Sequence, residues 1–411
     1  MSGTRVGVVR GAVGGTEATP PLWWVWVAAW PVAAVFVLSN AATPLYVLWQ
    51  REMGFSKGTL TVVFAFYIVG LLGSLLVSGV ASDRLGRKPV LLPALGLALV
   101  ACVVFATAAT VASLIVARLF TGIAVGAVVS AGMAAVTDVA GPGRRRLAAL
   151  LASCAMVFGA GLGPLLAGVF SETLPGPTVT VFVVEAVLLV TAVGAVVRMP
   201  LRRPDPSVKG AVWVRVPGVP RGNRRQLWLG IAVFAPGITA TSFVLSLGPS
   251  LLSGLLGTTN RIVAGAMAFA MFLTATGVQF AVQRLSRPAI LTAGALSTVL
   301  SMVVLIGAVR GASVVALLAS ALLAGAGQGM GQLGGLSLLN TSVPPGRLAE
   351  ANAALNVGGY VPAGLLPVSV GYLSDGVGLT GAATVFGVVL AGLAVAGGAV
   401  VLAGRRQGDE G

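Results

Sequence analysis

Arg118 and Glu185 are the two side chains best placed to do chemistry with a proton or an anion. Each sits inside a long apolar run of a 411-residue chain that is 57% hydrophobic and only 9% charged. Charge inside such a run is costly and marks a functional position by default. Arg118 lies about six residues from the end of its run and Glu185 about seven from the same-side end of its own, so both are roughly 9–10 Å deep at the helical rise. Equal depth allows an ion pair, and a proton arriving at Glu185 would then free Arg118. The plainer alternative is that Glu185 stays near an interface or in a static pair.

Little other chemistry is available. Without a histidine there is no imidazole triad or imidazole-ligated metal, and two cysteines cannot build a four-thiolate zinc site. Cys102 and Cys154 lie in apolar runs, which argues against a structural disulfide. No catalytic residue, metal or cofactor is expected. Soluble chains carry roughly 25% charged residues, so a soluble multi-domain enzyme is excluded, and the apolar excess excludes disorder.

The elements that would hold Arg118 and Glu185 are membrane helices. A helix crosses the hydrocarbon core with roughly 20 apolar residues, and twelve such stretches fall near residues 23–48, 59–81, 89–109, 112–139, 146–170, 178–198, 227–253, 261–281, 288–309, 312–339, 347–373 and 377–403. Their Gly/Ala/Val character fits helices packed through small residues better than alternating barrel strands. The first twenty residues lack the pattern of a cleaved signal peptide. Trp23, Trp24, Trp26 and Trp30 open the first span and Trp49 closes it, as interfacial anchors do.

The net charge of +15 sorts by loop: twenty-one of the 26 lysines and arginines fall on the side that carries both ends of the chain. Only Arg51, Lys57, Arg261 and Arg310 fall on the other side, and Arg118 alone is within a span. The excess of cations predicts that both termini and the loop between spans 6 and 7 are cytoplasmic. Arginines spread over seven segments do not form a nucleic-acid footprint.

The chain also repeats. Pro31 and Pro44 recur as Pro236 and Pro249, Arg84-Leu85-Gly86-Arg87 as Arg284-Leu285-Ser286-Arg287, Pro142-Gly143-Arg144 as Pro345-Gly346-Arg347, and Pro164 and Gly168 as Pro367 and Gly371, at offsets of 200–205. Four matches in order predict two parallel six-span halves. The fold class is therefore all-α, a polytopic membrane protein with twelve transmembrane helices in two pseudo-symmetric six-helix bundles. The divisions are a cytoplasmic tail (1–22), a first bundle (23–198), a basic cytoplasmic linker (199–226), a second bundle (227–404) and a cytoplasmic tail (405–411).

Three segments carry a resemblance to a known family. The loop between spans 2 and 3, Gly79-Val80-Ala81-Ser82-Asp83-Arg84-Leu85-Gly86-Arg87-Lys88, resembles the G-x-x-x-D-R-x-G-R-[RK] loop of the major facilitator superfamily. Physically, Gly79 admits a neighbouring helix, Gly86 a tight turn, and Asp83 a bond to backbone N–H or Arg87; an ordinary basic loop with a solvated acid would look similar. Span 4 holds Arg118-x-x-x-Gly122-x-x-x-Gly126, similar to a segment of proton-coupled members. Span 5 holds Gly159, Gly163, Pro164 and Gly168, similar to the antiporter signature ending G-P-x-x-G-G, with Ala167 in place of one glycine; small-residue packing is its plain alternative. The resemblance is closest to the twelve-span drug:proton antiporters.

That resemblance implies a secondary active transporter, not an enzyme, with proton-coupled efflux of small organic molecules by alternating access, as in multidrug resistance. It implies a conformational latch of Asp83 and Arg87 with Asp138 at the end of span 4, flanked by Gly79, Arg84, Gly86 and Lys88. The second half lacks that carboxylate, with Gln283 at the matching position. Drug exporters of the family often place an acid in span 1, where this chain has Ser39, Asn40 and Thr43. The spans that line the family's cavity offer Asn40, Tyr67, Arg118, Gln328, Gln332, Asn352, Asn356 and Tyr360, which suits neutral, amphipathic or weakly acidic cargo; interhelical hydrogen bonding is the bland reading of the same residues. The implied partners are a small-molecule substrate, protons and the lipid bilayer, with no nucleic acid, for a monomer in the plasma (cytoplasmic) membrane. Proton-coupled or facilitated uptake of sugars or organic acids is the nearest alternative. A membrane enzyme would need clustered acids or histidines, and a non-transporting receptor or scaffold would show no pH-driven flux.

Overall fold

The computed structural model describes residues 20–201, 213–214, 216–257 and 260–409. Most of the N-terminal tail and part of the basic linker, including Arg202, Arg203, Lys209 and Arg215, lie outside the described residues.

Among the described residues the regular structure is entirely helical. In chain order the helices are α1 (Trp23–Met53), α2 (Lys57–Leu85), α3 (Lys88–Ala106), α4 (Val111–Ala140), α5 (Arg145–Thr173), α6 (Pro177–Arg198), α7 (Arg224–Leu256), α8 (Arg261–Val282), α9 (Arg287–Arg310) and α10 (Val314–Ser342). The last helical stretch, Leu348–Asp409, is broken at Gly378, whose φ of 77° and ψ of 160° are not helical. The break gives α11 (348–377) and α12 (379–409), so twelve apolar helices stand where the sequence predicts twelve spans. That backbone region is essentially restricted to glycine, so one residue suffices to turn the chain back across the membrane.

Two helices depart from ideal geometry where the sequence allows it. α1 tightens into a 3-10 turn at Thr43–Leu45, because Pro44 has no N–H to give the ladder and clashes with the preceding turn. α4 widens into a π-turn at Val128–Gly132, a local insertion that often sits at functional positions.

The helices pack as two bundles, α1–α6 and α7–α12. Within the first, α1 packs on α5 and α6, and α2 on α4; within the second, α7 packs on α10 and the final helices, and α9 on α10. The bundles meet chiefly through α2 with α11 and α5 with α8. Within the first bundle glycine makes the close approaches possible: a Cβ on Gly122 would collide with the Tyr67 carbonyl of α2, and one on Gly163 with the Val37 carbonyl of α1. Two contacts tie described parts of the linker to the bundles: Trp213 lies under the Arg84 guanidinium at 4.8 Å, and the Gly218 N–H donates to the Glu350 carbonyl at 3.2 Å.

The tryptophans of α1 divide. Trp23 and Trp26 are exposed as anchors should be, whereas Trp49 is 1% exposed and stacks with Phe105 and Phe182. The reading of Trp49 as an interfacial anchor is corrected here. α1 continues to Met53, so Trp49 is one turn short of the helix end and turns into the bundle. Cys102 and Cys154 are both free.

Candidate functional site

Arg118 is fully buried in the first bundle, and α1 and α2 surround it. Its Nε donates to the Tyr46 hydroxyl, and its Nη1 donates to the Ser39 carbonyl at 2.7 Å. Its guanidinium carbon lies 5.0 Å from the Tyr46 ring centroid, 5.7 Å from Phe64, 5.9 Å from Tyr67 and 6.0 Å from Phe105. Rings at such distances attract a cation through their quadrupole, worth about 0.5–2 kcal/mol each depending on desolvation. The third nitrogen, Nη2, is buried without a hydrogen-bond partner. Arg118 is thus a buried cation held by dipoles and π-faces.

Glu185 is also buried, at 3% exposure, on the inward face of α6 beside Phe182. Its Oε2 has no hydrogen-bond partner. The two residues that the sequence places at equal depth do not pair in this conformation. Arg118 turns to α1, and Glu185 faces α3, near enough to Cys102 to act on it electrostatically. Each retains one unsatisfied buried atom.

At the end of α2 the structure assembles the three charged latch residues. Arg87 donates from Nη1 to Asp83 at 2.6 Å and to Ser82 Oγ at 2.9 Å, and from Nε to Asp138 at 2.9 Å. Burial alone would lower the Arg87 pKa, but the hydrogen bonds and charges of Asp83 and Asp138 outweigh it and leave it raised. Gly86 has a φ of 98°, which turns the chain so that Arg87 points back at both acids. Gly79 is buried on α2, Arg84 stacks on Trp213, and Lys88 Nζ donates to the Val197 carbonyl at 2.8 Å. In the second half Ser286 has an ordinary φ of −65°, so the missing glycine reflects a different turn.

The glycines of the α5 motif are packing positions. A Cβ on Gly159 would meet α1 at Ala33 and Phe36, and one on Gly168 would strike the Arg261 carbonyl of α8. Gly265 of α8 returns the contact against the Pro164 carbonyl.

The expected cavity residues do not gather in one place. Asn352 and Asn356 line a cavity of about 210 Å³ with Leu72, Leu75, Leu76, Ser130, Ala353 and Val357, between α2, α4 and α11. By position along those helices it lies in the half nearer Arg84, Arg87 and Arg347, the arginine-rich face. Tyr67 and Tyr360 approach each other between the bundles, and Tyr360 packs edge-on to Phe234 of α7 at 6.3 Å. Gln328 and Asn352 each hold a buried oxygen with no partner, while Gln332 is half-buried on the next turn of α10. Asn40 is tied internally, donating to Ser39 Oγ at 3.0 Å and to the Ala160 carbonyl at 3.5 Å.

Sequence reasoning missed Tyr46 and Ser130. An aromatic inside an apolar run reads as packing, and nothing in the sequence signals the π-turn that carries Ser130.

Comparisons with known proteins agree with the fold. The structure superimposes on the nucleoside transporter NupG with a TM-score of 0.73 at 12% identity, over 92% of this chain and 99% of that one. A bacterial homolog of the human lysosomal transporter Spinster, in an inward-facing occupied conformation, gives 0.72 at 12% identity, over 93% and 96%. The 3-(3-hydroxy-phenyl)propionate transporter of Escherichia coli (strain K12) is 32% identical over 133 residues, which is 32% of this chain and 31% of that relative. The chain therefore matches about a third of that protein's length. The family model of the Major Facilitator Superfamily covers residues 25–287, more than half of the sequence, and the chain belongs to the Major Facilitator Superfamily of membrane transporters.

Proposed function

We propose that the chain is a proton-coupled secondary active transporter that exports small organic molecules by alternating access, and that Glu185 carries the proton. The observation behind this reading is the state of Glu185: a carboxyl buried inside a span, with an oxygen that no donor meets. Polar groups buried without a partner are expensive, and inside a membrane span they mark functional positions. A proton delivered as access alternates, with Arg118 Nη2 free to receive the carboxylate after it leaves, is the exchange that this pair can make. The Asp83–Arg87–Asp138 latch acts on the conformational step, and cargo meets the amides of α10 and α11 and the rings of Tyr67 and Tyr360. The arginine-rich face is the cytoplasmic one, in a plasma membrane, with both termini there and a monomer as the unit. The division into bundles at 23–198 and 227–404, with the basic stretch 199–226 between them, belongs to this reading.

A second reading, uptake of organic acids, has specific support. Arg118 is a buried cation without a carboxylate partner, among rings that suit an aromatic anion. The partial relative is by its printed name a carrier of one such acid. Both readings are tested together in proteoliposomes with an imposed pH gradient and a panel of amphipathic and aromatic-acid compounds. Export predicts movement against the proton flow, and uptake predicts movement with it. No gradient-dependent flux for any compound would overturn both.

A further inference from the structure

At the face opposite the arginine-rich one, two contacts that repeat with the halves of the chain bridge the bundles. α5 ends on Gly168, Ser171 and Glu172, and α11 carries Gly371, Ser374 and Asp375, each pair separated by 203 residues. In both, the serine hydroxyl donates back to the glycine carbonyl, at 3.0 Å and 2.7 Å. In both, the acid reaches the first turn of a helix in the other bundle. Glu172 Oε1 accepts the Arg261 backbone N–H at 2.8 Å, at the start of α8. Asp375 accepts the Lys57 N–H at 3.0 Å and the Gly58 N–H at 3.1 Å, at the start of α2.

A helix start leaves backbone N–H groups unsatisfied and carries the positive end of the helix dipole. Local caps meet only part of that demand: Ser56 accepts from Thr59, and Asn260 from Ile262 and Val263. The N–H groups of residues 57, 58 and 261 are met by the acid from across the bundle interface. Arg261 adds side-chain contacts, with Nη2 donating to the Ser171 carbonyl at 2.7 Å and Nε at 3.1 Å from Glu172, an ion-pair distance without hydrogen-bond alignment. The glycine one turn below each acid lets the helices close: a Cβ on Gly168 would strike the Arg261 carbonyl, and one on Gly371 would strike Thr61 Oγ1. Neither acid stabilises its own bundle through these bonds, because both ends of each bond lie in different bundles.

We propose that Glu172 and Asp375 are positioning residues of the transport cycle: paired carboxylate clasps that hold this face closed and must release the starts of α8 and α2 before it opens. The proposal goes beyond the function above and needs only that the two bundles rock.

Pulsed electron paramagnetic resonance on the full chain tests it without any substrate. With Cys102→Ala and Cys154→Ala as background, spin labels go on Leu174→Cys and Val315→Cys, both exposed positions near this face on opposite bundles. Glu172→Ala with Asp375→Ala is expected to shift the distance distribution to longer values. Each single substitution is expected to produce a smaller shift in the same direction, and keeps one clasp should the double variant fold poorly. Unchanged distances in the folded single variants, or in the double variant, would overturn the clasps. A shift in the variants, with no transport of any tested compound by the unsubstituted chain, would instead count against the proposed function and leave the clasps standing.

Discussion

At the scale of single residues, the scarcity of charge made the site legible. Arg118 and Glu185 are conspicuous because the spans hold almost no other ionisable group, and both prove buried. Their environments were not legible. The equal depths suggested a pair, but depth along a helix says nothing about its rotation, and Arg118 faces Tyr46 and Ser39 while Glu185 faces α3. Arg118→Met keeps the volume but leaves the Tyr46 hydroxyl and the Ser39 carbonyl without their charged donor. Losing hydrogen bonds to a charged group costs about 1.5–3 kcal/mol, so the thermal unfolding of the detergent-solubilised variant is expected to fall measurably. Arg118→Lys should recover only part of it, because an ammonium cannot span the hydroxyl and the carbonyl with a planar fork.

At the scale of elements, glycine and proline carried most of the readable information. The glycine run of α5 resembled an antiporter signature and also fitted plain packing, and the structure shows the packing: Gly163 admits the α1 backbone. Gly163→Val would drive two methyl groups into Val37, and overpacking of this kind costs about 1–3 kcal/mol or more; reduced yield and a lower melting temperature are the expected outcome. The two loops that repeat in sequence give a sharper contrast. Gly86 sits at φ 98° and Ser286 at φ −65°. Gly86→Ala should cost about 1–3 kcal/mol of strain, whereas Ser286→Ala should stay within experimental error of wild type, both read by thermal unfolding. Trp49 shows the limit of such reading. Its place at the end of a hydropathic stretch looked interfacial, and only the extra helical turn to Met53 turned it inward.

At the scale of the molecule, the apolar runs and cation placement predict twelve helices, because the bilayer leaves few alternatives, and the internal repeat predicts their division into two bundles. The contacts between the bundles were beyond reach, since they depend on which helix faces meet. The latch belongs to this scale. Asp83 and Asp138 are about half exposed, and exposed ion pairs contribute only about 0–1 kcal/mol to stability. Asp138→Asn is therefore expected to leave the melting temperature within a few degrees of wild type. If the contact serves the conformational step as proposed, turnover should fall severalfold in a flux assay while substrate affinity holds.

The central claim is that Glu185 couples transport to protons, and comparing two kinds of flux in Glu185→Gln tests it most directly. In proteoliposomes loaded with a transported compound, the variant is expected to keep substrate exchange when no pH gradient is present. It should lose accumulation or expulsion driven by a gradient. Gradient-driven flux equal to wild type in Glu185→Gln would contradict the account.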